Sequence, residues 1–182
     1  MEDVLVQRAR TVSESVLCGV GTRWEHVQGV ARTAQRVVDG LGCRSGASVA
    51  AAAWLHDVGY GLQLRRTGFH PVDGANFAAS QDFPPLVVSL VAFHTGAAVE
   101  AARRGLSAEL EAFDPPPADL LDVVTYADLT TGPDGSPVSV ADRLAEIFGR
   151  YPPTDVVYGA VFESEPALLA SVARVEDRLR LR

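Results

Sequence analysis

The stretch AAAWLHDVGYG constrains this chain more than any other: an apolar run ends in His56-Asp57, and a glycine follows almost at once. Imidazole and carboxylate hold divalent zinc, manganese or iron while leaving coordination positions open. The chain has only 4 histidines. With two aspartates they form one ordered set: His26, His56-Asp57, His70, His94 and Asp128. A chain that spends every histidine this way is built around a metal centre, and its fold has to bring the six side chains together.

The patterning around those residues is helical almost throughout. Thr22 and Glu25 have the spacing of a capping box, which opens a helix carrying His26, Val30 and Ala31 on one side. That helix stops near Gly40-Leu41-Gly42. Ser45 or Gly46 opens a short alanine-rich helix whose last turn holds His56 and Asp57, with Gly59 read as a left-handed cap. Pro71 fits the first position of a helix and puts His70 at its entry. Pro84-Pro85 starts another, with Leu86, Val87, Leu90, Val91 and His94 on one face. DPPP introduces a helix with Leu121, Val124 and Asp128 on one stripe, and TTGPDGSP is a loop. Ser139 opens a helix containing Leu144 and Ile147, and residues 165–181 read as a final amphipathic helix. No alternating run is long enough for a sheet, so the fold class is all-α: a single domain over residues 1–182, with a metal-binding core at about 22–129 and C-terminal helices at about 139–182.

Composition excludes several functions. An apolar fraction of 47% against 21% charged residues is that of a soluble globular chain. The net charge is −7 and no lysine occurs, so the 16 basic residues are all arginine. General nucleic-acid binding is not expected, because phosphate neutralisation dominates that affinity. A local arginine cluster still suits a small anionic ligand. Cys18 and Cys43 lack metal or redox spacing and read as buried small hydrophobes in a reducing compartment. MEDVLVQRAR has no signal-peptide pattern, and stretches such as PPLVVSLVAF are too short to span a bilayer. A cytoplasmic location without membrane association is the expectation. The sequence leaves the oligomeric state open.

Each proposed ligand lies on an apolar helical face or at a helix end, as in bundle metal sites. His56 and Asp57 are adjacent and cannot share a helical face, yet at a fraying C-terminus both can turn to one centre. Six ligands exceed the need of one ion with open positions, which suggests two metals bridged by Asp57. Two ions roughly 3.5–4 Å apart clamp a phosphoryl group and generate hydroxide at neutral pH.

The order H…HD…H…H…D, centred on AAAWLHDVG and closed by YADL, resembles the HD-domain superfamily of metal-dependent phosphohydrolases over about Thr22 to Leu129. The resemblance implies an all-α bundle with His26, His56, Asp57 and Asp128 as core ligands, and His70 and His94 as the additional pair of dinuclear members. Asp57 is then also the catalytic residue. The implied cofactor is a pair of divalent ions, iron or manganese before cobalt, nickel and zinc. Two departures stand out. Where many such enzymes read HDxGK this chain has Tyr60, which moves the expected phosphate contact to Arg65 or Arg66. Where many carry two histidines it has Phe93-His94, which argues against a third ion.

The expected activity is hydrolysis of a small phosphate ester or nucleotide by a metal-activated hydroxide, with a small phosphorylated substrate as the partner. The alternative implied by the same ligands is a di-iron oxygenase like inositol oxygenase or the oxygenase that cleaves organophosphonates. A metal-stabilised binding module without turnover is the third reading. Outside the ligand set, Asp73 reads as a solvated helix carboxylate before a residue that orients an imidazole, Arg103-Arg104 as a solvated face, and Trp24, Trp54 and Tyr126 as core.

Overall fold

An alanine-rich helix at the centre organises the molecule. The computed structural model describes residues 4–181, and the helix in question, α3 (Gly46–Leu55), is the third in chain order. Val49, Ala50, Ala51, Ala52, Ala53 and Leu55 are all buried, so α3 is apolar on nearly every side. Such a helix is stable only inside other helices. It packs against α1 (Val4–Leu17), α2 (Arg23–Leu41), α5 (Pro85–Phe93) and α8 (Ala118–Leu129). The alanines let those neighbours approach closely; a leucine there would overpack the core at a cost of about 1–3 kcal/mol.

The remaining helices are α4 (His70–Ser80), α6 (Ala97–Arg104), α7 (Ser107–Glu111), α9 (Val140–Arg150) and α10 (Val156–Arg180). Short 3-10 turns at Val58–Tyr60 and Leu62–Leu64 connect α3 to α4. Among the described residues there is no strand, only an isolated bridge between Thr131 and Pro137. The all-α expectation holds.

Several local expectations need correction. Thr22 precedes α2 but makes no side-chain cap bond, so the capping box is not formed. α3 ends at Leu55, leaving His56 as its cap residue and Asp57 just outside. Gly59 lies in a 3-10 turn and is absent from the glycines with positive φ. Its requirement is space: a Cβ there would lie 2.0 Å from the carbonyl oxygen of His70 and 2.7 Å from the amide nitrogen of Gly74. The last helix begins at Val156 rather than 165, because Asp155 caps it by accepting from the Val157 N–H at 2.7 Å. Pro166 therefore lies inside the helix and not at its start. It deprives the Phe162 carbonyl of a donor, which is tolerable because Phe162 is exposed. Cys18 is exposed and Cys43 half-buried, so neither is the buried hydrophobe expected.

α10 is long and apolar enough, by length and composition, to cross a membrane, contrary to the expectation that no stretch reaches that length. Here its Ala160, Ser164, Leu168, Val172 and Val175 are buried, and it packs mainly on α8 and α6. Leu129, Leu144, Leu168 and Val172 form a second core cluster that ties α8, α9 and α10 together. That cluster matters for function, because it fixes α9 over the residues at the C-terminal end of α8.

Candidate metal centre

The six residues singled out in the sequence converge. Their donor atoms form two groups, His26–His56–Asp128 and Asp57–His70–His94, each with its atoms within 4.8 Å of one another. All six sit at helix ends. His26 is in the first turn of α2, His56 and Asp57 follow α3, His70 opens α4, His94 caps α5 and Asp128 is in the last turn of α8. Helix ends are where adjacent side chains can be turned to a common centre, as His56 and Asp57 are.

Three imidazoles are oriented through Nδ1. His26 Nδ1 lies 3.0 Å from the Gly132 carbonyl oxygen, His56 Nδ1 2.8 Å from that of Ala53, and His94 Nδ1 2.7 Å from that of Val91. A carbonyl only accepts, so each Nδ1 carries a proton and donates it. His56 and His94 thereby present Nε2 lone pairs inward. His56 Nε2 is completely buried and has no hydrogen-bond partner among the described residues. Such an orphan costs about 1–3 kcal/mol unless something binds it. His94 Nε2 faces His70 Nε2 at 3.1 Å. Being only an acceptor, it takes a proton from that ring or shares a cation with it.

The spacing passes a geometric test for cation binding. Two donors each about 2.0–2.2 Å from one ion lie roughly 3–3.5 Å apart. His26 Nε2 and Asp128 Oδ1 are 3.1 Å apart, and Asp57 Oδ1 and His70 Nε2 3.5 Å. Asp57 Oδ1 is also 3.7 Å from His56 Nε2, so one carboxylate oxygen faces both groups. The donor set is compatible with divalent metal binding.

The protonation states follow from burial and neighbours. Burial pushes His56 down to about 4, and it takes His70 well below the ordinary imidazole value. Burial opposes ionisation of Asp57, but Arg23 and the surrounding imidazoles hold it far below the carboxylate range. For Asp128, burial is likewise outweighed by the hydrogen bond from His26 and by its charge. His26 is raised, because its bond to Asp128 overcomes burial. A cation that binds here displaces the His26 Nε2 proton.

A set of residues outside the expected ligands completes the site. Arg23 Nη1 donates to Asp57 Oδ2 at 2.7 Å, leaving Oδ1 for the cluster. The Arg23 guanidinium also lies 3.8 Å from the centre of the Tyr60 ring. Thr95 Oγ1 donates to Asp128 Oδ2 at 2.7 Å, and Arg143 approaches Oδ1 at 3.5 Å. Arg143 is buried and also donates to Glu146 at 2.6 Å. Arg23, Arg143 and Arg150 line a cavity of about 80 Å³ over Asp57, His70, His94 and Asp128. The one sequence clue to Arg143 is its i,i+3 spacing to Glu146; Thr95 had none beyond adjacency to His94.

The loop arginines part company. Arg65 lines a groove of about 570 Å³ that shares Arg23, Tyr60, Arg143 and Arg150 with the cavity. Arg66 lines a separate pocket with Asp73 and Asn76. Of the two arginines expected near phosphate, the geometry brings Arg65 and not Arg66 to the groove beside the centre. Asp73 is buried, not solvated. Its carboxylate accepts from the backbone N–H groups of Arg66, Thr67 and Gly68 at 3.2, 2.9 and 3.1 Å, pinning the loop that delivers His70. Arg103 is exposed, as expected of a solvated face, and pairs there with Glu163 at 2.8 Å; Arg104 is half-buried and pairs with Glu100 at 2.7 Å.

Fold and site together define an all-α bundle whose helix ends assemble a histidine–aspartate centre. The chain belongs to the HD-domain family, whose model matches residues 23–147. HD domains are commonly metal-dependent hydrolases. The match runs past Asp128 into α9 and so includes Arg143. No curated protein and no solved structure matches the chain.

Proposed function

We propose that this protein is a phosphohydrolase acting on a small phosphate ester with two divalent ions. The observation that carries the reading is the arginine wall: Arg23, Arg143 and Arg150 face a tight cavity whose floor is the histidine–aspartate centre. His26, His56 and Asp128 would hold one ion, and Asp57, His70 and His94 the other. Ions bound there supply Lewis acidity and lower the pKa of a water. The arginines offset negative charge as it develops on the phosphoryl oxygens, in a site where water is largely excluded. Arg23 has a double duty, since it also fixes the outer oxygen of Asp57. Burial keeps the Tyr60 hydroxyl protonated, so it can donate to the same oxygens.

The test is phosphate release from a broad phosphoester panel by protein loaded in turn with manganese, iron, cobalt and nickel. At least one combination turns over, and Asp57→Asn abolishes it. Inactivity under every loading overturns the reading. Substrate-dependent oxygen uptake by the iron-loaded protein would transfer the same donors to the oxygenase alternative.

A further inference from the structure

Resting on that reading of the site, we propose that the substrate carries a second anionic group, held by Arg65 in the outer groove, and that no nucleobase is recognised there. Three observations converge on this.

The first is size. The inner cavity of about 80 Å³ is far below the roughly 300 Å³ at which pockets begin to enclose a whole ligand. It accommodates the group undergoing reaction and little else. The rest of the substrate lies in the adjoining groove of about 570 Å³.

The second is charge. Arg23, Arg143 and Arg150 all have carboxylate partners: Asp57 for the first and Glu146 for the other two. Arg65 lines the same groove, is exposed, and forms no ion pair among the described residues. Its guanidinium is available at the wall of the groove that adjoins the inner cavity. The Asp73 carboxylate holds the backbone of the next three residues, so the loop carrying Arg65 is built rather than loose. A planar guanidinium in that position matches a phosphate or a carboxylate.

The third is the aromatic surface. Of the phenylalanine, tyrosine and tryptophan rings, only Tyr60 lines the groove. One of its faces is stacked on His70, with centroids 4.1 Å apart, and Arg23 lies 3.8 Å from the ring centre. Within the groove neither face of Tyr60 is left for base stacking, the interaction that sequence-tolerant nucleotide sites rely on. The nucleotide option raised by the sequence is thereby disfavoured against a compact, doubly anionic phosphate ester.

The experiment is calorimetric titration of the metal-loaded protein with a matched pair, 3-phosphoglycerate and glycerol 3-phosphate, and with adenosine 5′-monophosphate. The pair differs by one carboxylate. The expected result is binding of 3-phosphoglycerate about 10- to 100-fold tighter than glycerol 3-phosphate, the range of one charge-assisted contact. The adenosine compound should bind no better than glycerol 3-phosphate. Arg65→Gln should bring the ratio within the pair close to one, whereas Arg66→Gln should preserve it. Equal affinities within the pair, a lead for the adenosine compound, or a ratio untouched by Arg65→Gln overturns the proposal. The readout is relative affinity and does not require hydrolysis, so inactivity in the phosphoester panel would fall on the phosphohydrolase reading alone.

Discussion

The Tyr60 ring lies nearly flat on the His70 imidazole, with centroids 4.1 Å apart and planes 19° from parallel. The other three histidines of the centre are oriented by a backbone carbonyl at Nδ1. His70 Nδ1 has no such partner among the described residues, so the stacked tyrosine orients this ring. Tyr60 thus supports one of the six candidate donors. Tyr60→Leu should weaken metal binding at the Asp57–His70–His94 group by about 10- to 100-fold, the usual range for a lost ligand support. Tyr60→Phe should leave it near wild type, since the ring and not the hydroxyl does the orienting. Metal titration followed by elemental analysis separates the two outcomes; equal loss in both variants would refute the stacking argument.

Thr95 is a β-branched residue at φ 41°, in the left-handed region, and its hydroxyl holds Asp128 Oδ2 at 2.7 Å. Strain of about 1–2 kcal/mol is retained at this position. Thr95→Gly relieves the strain and removes the hydroxyl together. The metal-stripped variant should therefore unfold within about 1 kcal/mol of wild type, while its metal affinity drops. Thr95→Ser keeps the hydroxyl and should keep the affinity. Urea denaturation and metal titration on the same preparations check both halves.

Gly59→Ala places a methyl 2.0 Å from the His70 carbonyl oxygen, a backbone atom that cannot swing aside. The α4 entry must shift, taking His70 with it. Destabilisation at the upper end of overpacking, about 3 kcal/mol, is expected. Loss of metal from the second group should accompany it. A variant with wild-type melting temperature and full metal content would show that the turn relaxes freely.

The metal-stripped protein should lose stability in mild acid. His56 is held at about 4, below the ordinary 6.5. Its neutral form is the one the fold accepts, so the unfolded chain takes up the proton first as pH falls. This contribution is intact above about 6.5, declines through the window below it, and is gone near 4. Its full size is about 3 kcal/mol. The raised His26 works the other way and reduces the net slope. His70, also depressed by burial, adds a loss of the same sign; the urea midpoint at pH 7 and pH 4.5 measures the effect, and His56→Gln should reduce it without abolishing it. Metal should also dissociate in acid, because its ligands must be deprotonated to bind.

Much of the architecture was readable from local chemistry. Pro71 and Pro85 mark helix starts because a missing N–H is harmless there. Ser139 does so by accepting from the Asp142 N–H at 3.1 Å. The six donors were legible because histidine is scarce in this chain and each one falls at a helix end. What was not legible depends on long-range packing. Nothing near Arg23 announces that it will reach a carboxylate 34 positions away. Arg143 becomes part of the site only because the α8–α9–α10 cluster folds α9 back over Asp128. Asp73 looked solvated because its partners are the backbone amides of a loop, which have no signature in side-chain patterning. The false cap at Gly59 has a similar origin, since glycine answers equally to a left-handed turn and to a close approach.

The placement of all six donors at helix termini, on α2, α3, α4, α5 and α8, has a mechanical consequence. Bound ions act as a clasp at the tips of five rods whose shafts are already glued by apolar contact. Chelation then unfastens the tips without separating the shafts. Amide hydrogen exchange in the presence of chelator should quicken around residues 56–60, 70–73 and 94–97 while the body of α3 stays protected. The face that carries the six donors is thereby the part of the molecule most easily opened, and cations bound there would also hold it shut.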